Sequence, residues 1–189
     1  KRHRVAAAED RAFAGDPSGA AALIREAASE DPGDPELWFL LGHYLRSARD
    51  LGGAARALNE SVAINQDHGM AHHELANCLR DMGQLDVASG HYRRAIDLLD
   101  DDADPIADYG LWYQLSTEND LATAMFRRAL EIDATCVPAQ LGLVRHHLDA
   151  GEAEAALARA DEIVRLQPEL PEALLIRAQV LEALGEPEL

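Results

Sequence analysis

The chain repeats itself every 34 residues, and this period constrains its fold more than any other feature. Windows that begin at residues 1, 35, 69, 103 and 137 align without a gap, and the remainder from residue 171 begins a sixth window. The twentieth residue of all five full windows is alanine. Self-similarity at a period of about 20–50 residues is typical of solenoids, in which small units stack and bury a continuous core.

Each window carries the pattern of two amphipathic helices. In the second window, Ala54, Leu58 and Ser61 are spaced by four and three residues, which places them on one helix face. The eighth residue is small in nearly every window, and a leucine or tyrosine usually precedes it, which predicts another helix in the first half. Aromatic residues make up only 5% of the chain, and alanine favours closely packed helices over strands.

Turn-forming residues fall between the predicted helices. Asp34-Pro35 and Asp104-Pro105 predict a helix N-cap followed by proline at the first helical position. Glycine occupies the fifteenth place of four windows, where it favours a C-cap for the first helix. These four glycines are Gly15, Gly83, Gly151 and Gly185.

The windows resemble the tetratricopeptide repeat. The residues that carry the resemblance are Trp38, Leu41, Gly42, Leu45, Ala54 and Leu58 in the second window, Leu75, Ala76, Leu79, Gly83, Ala88, Tyr92 and Ala95 in the third, and Tyr109, Gly110, Tyr113, Ala122, Phe126 and Ala129 in the fourth. The resemblance implies an all-α fold, a right-handed superhelical solenoid of antiparallel helix pairs. We expect one domain over 1–189, with repeats 1–34, 35–68, 69–102, 103–136 and 137–170 and a terminal helix over 171–185.

The two ends of the chain depart from the repeat pattern. Arg4 and Arg11 stand where the family has large apolar residues, which suits an N-terminal cap with a wetter outer face. His147 and Ala160 replace large apolar residues in the fifth window, which predicts looser packing there. Helix 171–184 has three interpretations: it caps the solenoid, the natural protein continues beyond residue 189, or the helix docks on another copy. The residues that it would present to a following helix are Leu174, Ala178 and Leu181.

The formal net charge of −17 excludes several classes of partner. An acidic surface repels phosphate, so neither nucleic acid nor an anionic membrane is an expected partner. Cys78 and Cys136 form no CxxC pair, so we expect neither a disulfide scaffold nor a zinc site. No apolar run approaches the roughly 20 residues of a membrane span, and no signal peptide is visible.

Composition also suggests a source and a compartment. The chain contains a single lysine, Lys1, among many arginines, which is typical of some bacterial proteins. We expect a cytoplasmic protein. A periplasmic or membrane-tethered location stays open, because the sequence does not begin with methionine and a preceding segment is not excluded.

The predicted binding surface lies on the first helix of each window. Stacked helix pairs form a concave face, and the fifth, ninth and twelfth residues of each window are expected to line it. In the four middle windows these places contain no acidic residue, although the chain as a whole is acidic. The candidate groove residues are Phe39, His43, Arg46, His73, Asn77, Arg80, Leu111, Gln114 and Arg145.

This set of side chains suits an extended peptide. Asparagine and glutamine can bind a peptide backbone, and arginine can hold a carboxylate with two parallel hydrogen bonds. We therefore predict a protein or peptide partner, acidic or ending in a carboxylate. Some members of the resembled family clamp such a carboxylate with a groove lysine. His73 stands in place of that lysine, so this particular clamp is not expected.

We find no catalytic or metal-binding motif. His68 and His72 are four residues apart, but His68 falls in a turn and His72 at a packing place. His73-Glu74 begins like a zinc-protease motif, but Asn77 stands where a second histidine is required. The acidic run from Asp100 to Asp104 lacks the glycine and glutamate of a calcium loop. We therefore predict no enzyme activity, no metal site and no cofactor.

Three functions remain compatible with the sequence. The first is a non-catalytic scaffold that holds a partner protein or peptide in its groove. The second is a regulatory or substrate-recruiting part of a larger enzyme, such as a transferase or hydroxylase, whose catalytic domain lies outside this chain. The third is a solenoid that assembles with other copies through helix 171–184.

Overall fold

The computed structural model describes residues 2–185, and within that range every regular element is an α-helix. Helices of 12 to 14 residues alternate with short turns. The helices are α1 (Arg2–Phe13), α2 (Pro17–Glu30), α3 (Pro35–Ser47), α4 (Leu51–Ile64), α5 (Gly69–Asp81), α6 (Leu85–Leu98), α7 (Ala103–Leu115), α8 (Asn119–Ile132), α9 (Val137–Asp149), α10 (Ala153–Leu166) and α11 (Pro171–Leu184).

The helix boundaries follow the sequence period. The first helices of successive windows begin at residues 35, 69, 103, 137 and 171, and the second helices begin at 17, 51, 85, 119 and 153. Both series advance by the 34 residues of the repeat. The predicted all-α fold of helix pairs is therefore confirmed.

The helices form two compact units, unit 1 over 1–100 and unit 2 over 101–189. Inside each unit, every helix packs against the next one, and the first helices of neighbouring windows also touch, as α3 and α5 do in unit 1 and α7 and α9 in unit 2. The large residues at the centre of unit 1 are Ile24, Leu58, Leu75 and Tyr92, and those of unit 2 are Ile106, Phe126, Leu143, Val144 and Ile163. The assignment of a single domain stays a prediction.

Small residues at the eighth place let the two helices of a window approach closely. A methyl group added to Gly42 would lie 2.4 Å from Cγ of Leu58. In unit 2, the ring of Phe126 occupies the space over Gly110, where an added methyl group would come within 2.6 Å of its atoms. The same ring also covers Gly142, at the sixth place of the next window, where an added methyl group would come within 2.4 Å. Because close packing leaves no room for a side chain at these places, the recurrent small residue is explained by the core.

The turn after each first helix has the same left-handed backbone. The four predicted C-cap glycines have φ between +73° and +80°, as expected for glycine in this conformation. Arg49 and Thr117 occupy the fifteenth place in the other two windows, and they have φ of 66° and 63°. In five windows the amide of the next residue donates to the carbonyl five residues earlier, for example from Asp50 to Leu45 at 2.9 Å. The repeat geometry therefore imposes a conformation that two of its residues adopt with strain.

One predicted N-cap is confirmed and another is wrong. Asp34 caps α3, and its Oδ1 accepts a hydrogen bond from the Glu36 amide at 3.0 Å. At the start of α7, however, the cap is Asp102, which accepts from the Asp104 amide at 3.0 Å. The helix thus begins two residues earlier than Asp104-Pro105 suggested. Pro105 is accommodated because the first turn of a helix contains amides without helical partners.

The end windows are more polar, as predicted for the first. Arg4 forms ion pairs with Glu26, at 3.5 Å, and with Glu30 of α2. In the fifth window, His147 Nδ1 lies 2.7 Å from a carboxylate oxygen of Glu152, so a polar contact replaces an apolar one. In α11, the prediction that Leu181 lies on an open face is wrong. Leu181 is buried, because Ile176, Val180 and Leu181 form the inner side of this helix, whereas Leu174 is exposed.

Candidate functional site on the first helices

The predicted groove residues are divided between the two units. Each unit carries its part on the first helices, α3 and α5 in unit 1 and α7 and α9 in unit 2. We call this surface the first-helix face of each unit. Unit 1 contains Phe39, His43, Arg46, His73, Asn77 and Arg80, and unit 2 contains Leu111, Gln114 and Arg145.

In unit 1, the carboxylate of Glu74 joins two of the predicted residues. Arg46 Nε donates to Glu74 Oε2 at 2.7 Å, and His43 Nδ1 lies 3.1 Å from Oε1. Burial alone would raise the pKa of Glu74. The hydrogen bond from His43 and the charge of Arg46 outweigh burial and hold the pKa below its ordinary value. Glu74 is therefore an ionised, nearly buried anion that engages His43 and Arg46.

A second polar network in unit 1 surrounds the hydroxyl of Tyr92. This hydroxyl donates to Asn77 Oδ1 at 2.6 Å and accepts from Arg80 Nη1 at 3.1 Å. Arg80 also contacts Asp81 at 3.1 Å, and Asn77 Nδ2 lies 3.3 Å from His73 Nε2. His73 is 8% exposed and Asn77 only 4%. The expectation that these two side chains are exposed in the groove is wrong, because they fill the space between α5 and α6.

Most polar side chains on the first-helix face of unit 1 thus already bind other residues of unit 1. The acids that pair with the arginines, Glu74 and Asp81, stand at the sixth and thirteenth places of the window. The fifth, ninth and twelfth places, from which the groove was predicted, include the arginines but not their acidic partners. Phe39 is half-buried, with its ring centroid 5.0 Å from that of His68. His68 Nε2 lies 3.2 Å from a carboxylate oxygen of Glu36, at the start of α3.

The first-helix face of unit 2 is apolar, and its polar side chains form fewer contacts within the chain than those of unit 1. Leu115 is 59% exposed on α7, and Leu175 is 61% exposed on α11. Leu141 and Leu148 on α9 are half-buried against the core. Leu111 is half-buried as well, and the adjacent Gln114 reaches the carbonyl of Gly142 only at 3.5 Å.

Arg145 is the cation of this apolar surface. It is exposed on α9, and it forms no ion pair or hydrogen bond with another residue in the range 2–185. In unit 1, by contrast, both arginines of the face contact a carboxylate. Arg145 can therefore accept a carboxylate from outside the chain without losing an existing ion pair.

A hydrogen bond that recurs at the fourth place of the window was not predicted. Trp38 Nε1 donates to the carbonyl of Pro32 at 2.9 Å, and Gln140 Nε2 donates to that of Ala134 at 2.7 Å. His72 Nε2 lies 3.1 Å from the carbonyl of Gln66 in the same relation, six residues back. We call this contact the fourth-place hydrogen bond. It ties three first helices to the turns that precede them, and it explains why His72 occupies a packing place.

The remaining chemical candidates have structural environments. The cysteines Cys78 and Cys136 are free and buried, and burial raises the pKa of the Cys136 thiol to about 11. In the described part of the chain, no three His, Cys, Asp or Glu side chains converge as metal ligands. Within the same range, no helix has both the length and the apolar character required to cross a bilayer.

Comparisons with known proteins agree with this architecture. Two tetratricopeptide-repeat models match the sequence, one over residues 2–44 and the other over 116–188. No curated protein sequence matches the chain.

Three solved structures illustrate the similarity of fold. TTC0263, a thermophilic tetratricopeptide-repeat protein of Thermus thermophilus, is 22% identical with a TM-score of 0.79, over 97% of this chain and 98% of that one. PilW, a type IV pilus biogenesis factor, is 17% identical with a TM-score of 0.85, over 98% and 86%. YrrB, described as having an unusual peptide-binding site, is 15% identical with a TM-score of 0.63, over 87% and 85%.

The chain belongs to the tetratricopeptide repeat family. The two models together match more than half of the sequence, and the described structure has the paired helices of the solved relatives over nearly its whole length. Proteins of this family are in general scaffolds for interactions with other proteins, and membership of the family gives this chain that general role.

Proposed function

We propose that the chain binds an extended segment of a partner protein along its first-helix face, and that unit 2 provides the principal contacts. The observation that carries this proposal is the combination of exposed leucines with Arg145 on α7, α9 and α11. A partner segment with apolar side chains and one carboxylate would bury Leu111, Leu115 and Leu175 and pair with Arg145. Burial of apolar surface stabilises such a complex, and the ion pair fixes its register.

Unit 1 has a smaller part in this proposal. An acidic ligand at Arg46 or Arg80 has to compete with Glu74 or Asp81, which already hold these arginines. Phe39 and His43 are half-buried and keep accessible surface for a contact. His73 and Asn77 are proposed to act indirectly, because they hold α5 and α6 together beneath the face.

The solved structure of YrrB gives the proposal a precedent, since its described peptide-binding site lies on the same type of fold. At 15% identity the likeness concerns the fold alone, so the contacts are argued from this chain's own residues. Whether the partner segment belongs to an assembly or to an enzyme does not alter the chemistry proposed for the face.

Selection from a random peptide-display library tests the proposal. The wild-type chain should enrich peptides that combine leucine-like residues with an acid. Arg145→Glu should lose these peptides, because the carboxylate would face a like charge. Leu111→Asp should also lose them. Matched controls are Arg127→Glu and Leu121→Asp, which change exposed residues of the second helix α8 in the same unit.

The outcomes separate the first-helix face from the rest of unit 2. If the enriched peptides bind Arg145→Glu and Leu111→Asp as tightly as wild type, the face is not the binding site. If no peptide family is enriched, the proposal of an extended peptide ligand fails. A loss with the α8 controls alone would place binding on the second helices instead.

A second candidate is association of copies through α11, on which Leu174 and Leu175 are both more than half exposed. Sedimentation velocity over a range of concentrations tests it. Association through α11 predicts a sedimentation coefficient that rises with concentration and no longer does so in Leu174→Asp. A coefficient independent of concentration in the wild type excludes this candidate.

A further inference from the structure

We infer that His72 and His91 form a binding site for a transition-metal ion of the Cu²⁺ or Ni²⁺ type. His72 lies on α5 and His91 on α6 of unit 1, and they are brought together by the packing of these helices. Their Nδ1 atoms are 2.9 Å apart and their ring centroids 5.2 Å apart. The pair lies outside the first-helix face, and the sequence reasoning compared His72 with His68 instead.

The fourth-place hydrogen bond fixes the tautomer of His72. Nε2 of His72 lies 3.1 Å from the carbonyl oxygen of Gln66, which can only accept, so Nε2 carries the proton. In neutral His72 the lone pair is then on Nδ1, on the side of the ring that faces His91, and both rings would turn to direct their lone pairs at a shared ion. Histidines that bind metals usually donate their other ring N–H to a carbonyl or carboxylate, which orients the ring and increases its basicity as a ligand. His72 has this arrangement already.

The distance between the nitrogens, which a hydrogen bond sets in the ion-free pair, is also compatible with binding of one ion by both rings. Two metal–nitrogen bonds of about 2.0–2.1 Å that meet at a right angle place their nitrogens about 2.9 Å apart, whereas a tetrahedral angle places them about 3.3 Å apart. The observed 2.9 Å fits neighbouring positions of a square-planar or tetragonal ion. Imidazole nitrogen is a preferred ligand of Cu²⁺ and Ni²⁺, which adopt this geometry.

Without an ion, one N–H···N hydrogen bond joins His72 and His91, and an ion would displace its proton. With Nδ1 of His72 as acceptor, Nδ1 of His91 carries the hydrogen of the contact. When an ion binds both Nδ1 atoms, this proton moves to Nε2 of His91, so both rings stay neutral and no net proton is lost. Burial lowers the pKa of both imidazoles.

One side of His72 borders a cleft whose lining does not include His91. This cleft of about 540 Å³ is also lined by Asn59, Val62, Ala63, Gln66 and Arg94. Arg94 is directed to Asp67 by an ion pair, so its charge is partly compensated. In the described residues no third His, Cys, Asp or Glu converges on the pair, so solvent would have to supply the remaining ligands. Two protein ligands predict weaker binding than in a closed structural site.

Calorimetric titration of the full chain, without a histidine tag, with NiCl₂, CuSO₄ and ZnCl₂ tests the inference. We expect one dominant site for Ni²⁺ and Cu²⁺. His91→Gln and His72→Gln should each weaken it by about ten-fold or more, on the scale by which lost metal-site interactions reduce affinity. Glutamine is chosen at residue 72 because Gln140 makes the fourth-place hydrogen bond at the equivalent place of the fifth window.

The control is His146→Gln, which alters an adjacent histidine pair on α9 whose ring centroids are 5.8 Å apart. It should leave the dominant site unchanged. Circular dichroism tests whether each variant remains folded. The electron paramagnetic resonance spectrum of the Cu²⁺ complex should show two nitrogen ligands in the wild type and fewer in His91→Gln. Equal affinity in wild type and His91→Gln, or Ni²⁺ and Cu²⁺ binding abolished by His146→Gln instead, would overturn the inference.

Discussion

The first-helix faces of the two units are built on the same backbone and used differently. In unit 1, Arg46 of one window meets Glu74 at the sixth place of the next window. In unit 2, the sixth places that flank Arg145 hold Gly142 and Ile176, neither of which can pair with it. One acidic side chain per window thus decides whether an arginine stabilises the solenoid or remains available to a partner. This difference is invisible in the repeat pattern, which both units share.

The largest expected effect concerns the buried carboxylate of unit 1. Glu74→Gln should lower the free energy of unfolding by about 2–3 kcal/mol at pH 7, because it removes the charged acceptor that binds both Arg46 and His43. Glu60→Gln, an exposed change on α4, is the control and should cost little. Urea titrations monitored by circular dichroism measure both. A cost below that of the control variant would mean that the face of unit 1 is not held by this pair.

The stability difference between wild type and Glu74→Gln should also depend on pH. The folded-state pKa of Glu74 lies below its ordinary value of 4.5, so its stabilising contribution is complete above that pH. It is lost as the pH falls through the folded-state pKa. The difference in stability between wild type and Glu74→Gln should therefore shrink as the pH is lowered from about 5 toward 3, and urea titrations at each pH measure it. A difference that stays constant would show that the contribution is not electrostatic.

A smaller contrast is expected for two tyrosine hydroxyls. Tyr92→Phe removes a buried hydroxyl that bonds both Asn77 and Arg80, and it should cost about 1–2 kcal/mol. Tyr113→Phe in unit 2 removes a longer bond to Tyr109, at 3.2 Å from a half-buried side chain, and it should cost less. The chain has one tryptophan in each unit, Trp38 and Trp112, so fluorescence during urea unfolding reports on each unit. An equal loss of stability in Tyr92→Phe and Tyr113→Phe would mean that the two hydroxyl contacts do not differ between the units.

The smallest effect should have the same sign in both units. Arg49→Gly and Thr117→Gly relieve a left-handed backbone, and each should raise stability by about 0.5–1 kcal/mol, with the larger gain for the β-branched threonine. Gly83→Ala is the opposite change at an equivalent place and should destabilise by a similar amount. Thermal unfolding measures all three. Destabilisation by Thr117→Gly would show that this side chain has a role beyond the turn.

The sequence predicted the fold well because the repeat encodes it many times. The alanine at the twentieth place and the small residue at the eighth both report on close helix packing, so an error at one position is corrected by the others. The one wrong N-cap shows the same point. The dipeptide Asp104-Pro105 indicates a helix start at residue 105, whereas the 34-residue period of the other windows indicates residue 103, where α7 does begin.

The site was predicted less completely because it depends on contacts between windows. The pairing of Glu74 with Arg46 joins residues 28 apart, and that of His72 with His91 joins residues 19 apart. Neither separation is a spacing of three or four residues, which is the only kind that places side chains together on one helix. The burial of Asn77 and His73 was missed for a related reason, because their place on the helix indicated exposure while the hydroxyl of Tyr92 gave them a buried partner.

The fourth-place hydrogen bond has a consequence for how such a chain can vary. An indole, an imidazole and an amide all satisfy the same kind of carbonyl, through Trp38, His72 and Gln140. The backbone therefore sets the requirement, and any side chain that can extend an N–H to that distance meets it. A repeat can exchange a fluorescent group, a titratable group or an inert one at this socket while its helices keep their positions. New chemistry can thus be introduced into the scaffold one window at a time without redesign of the core.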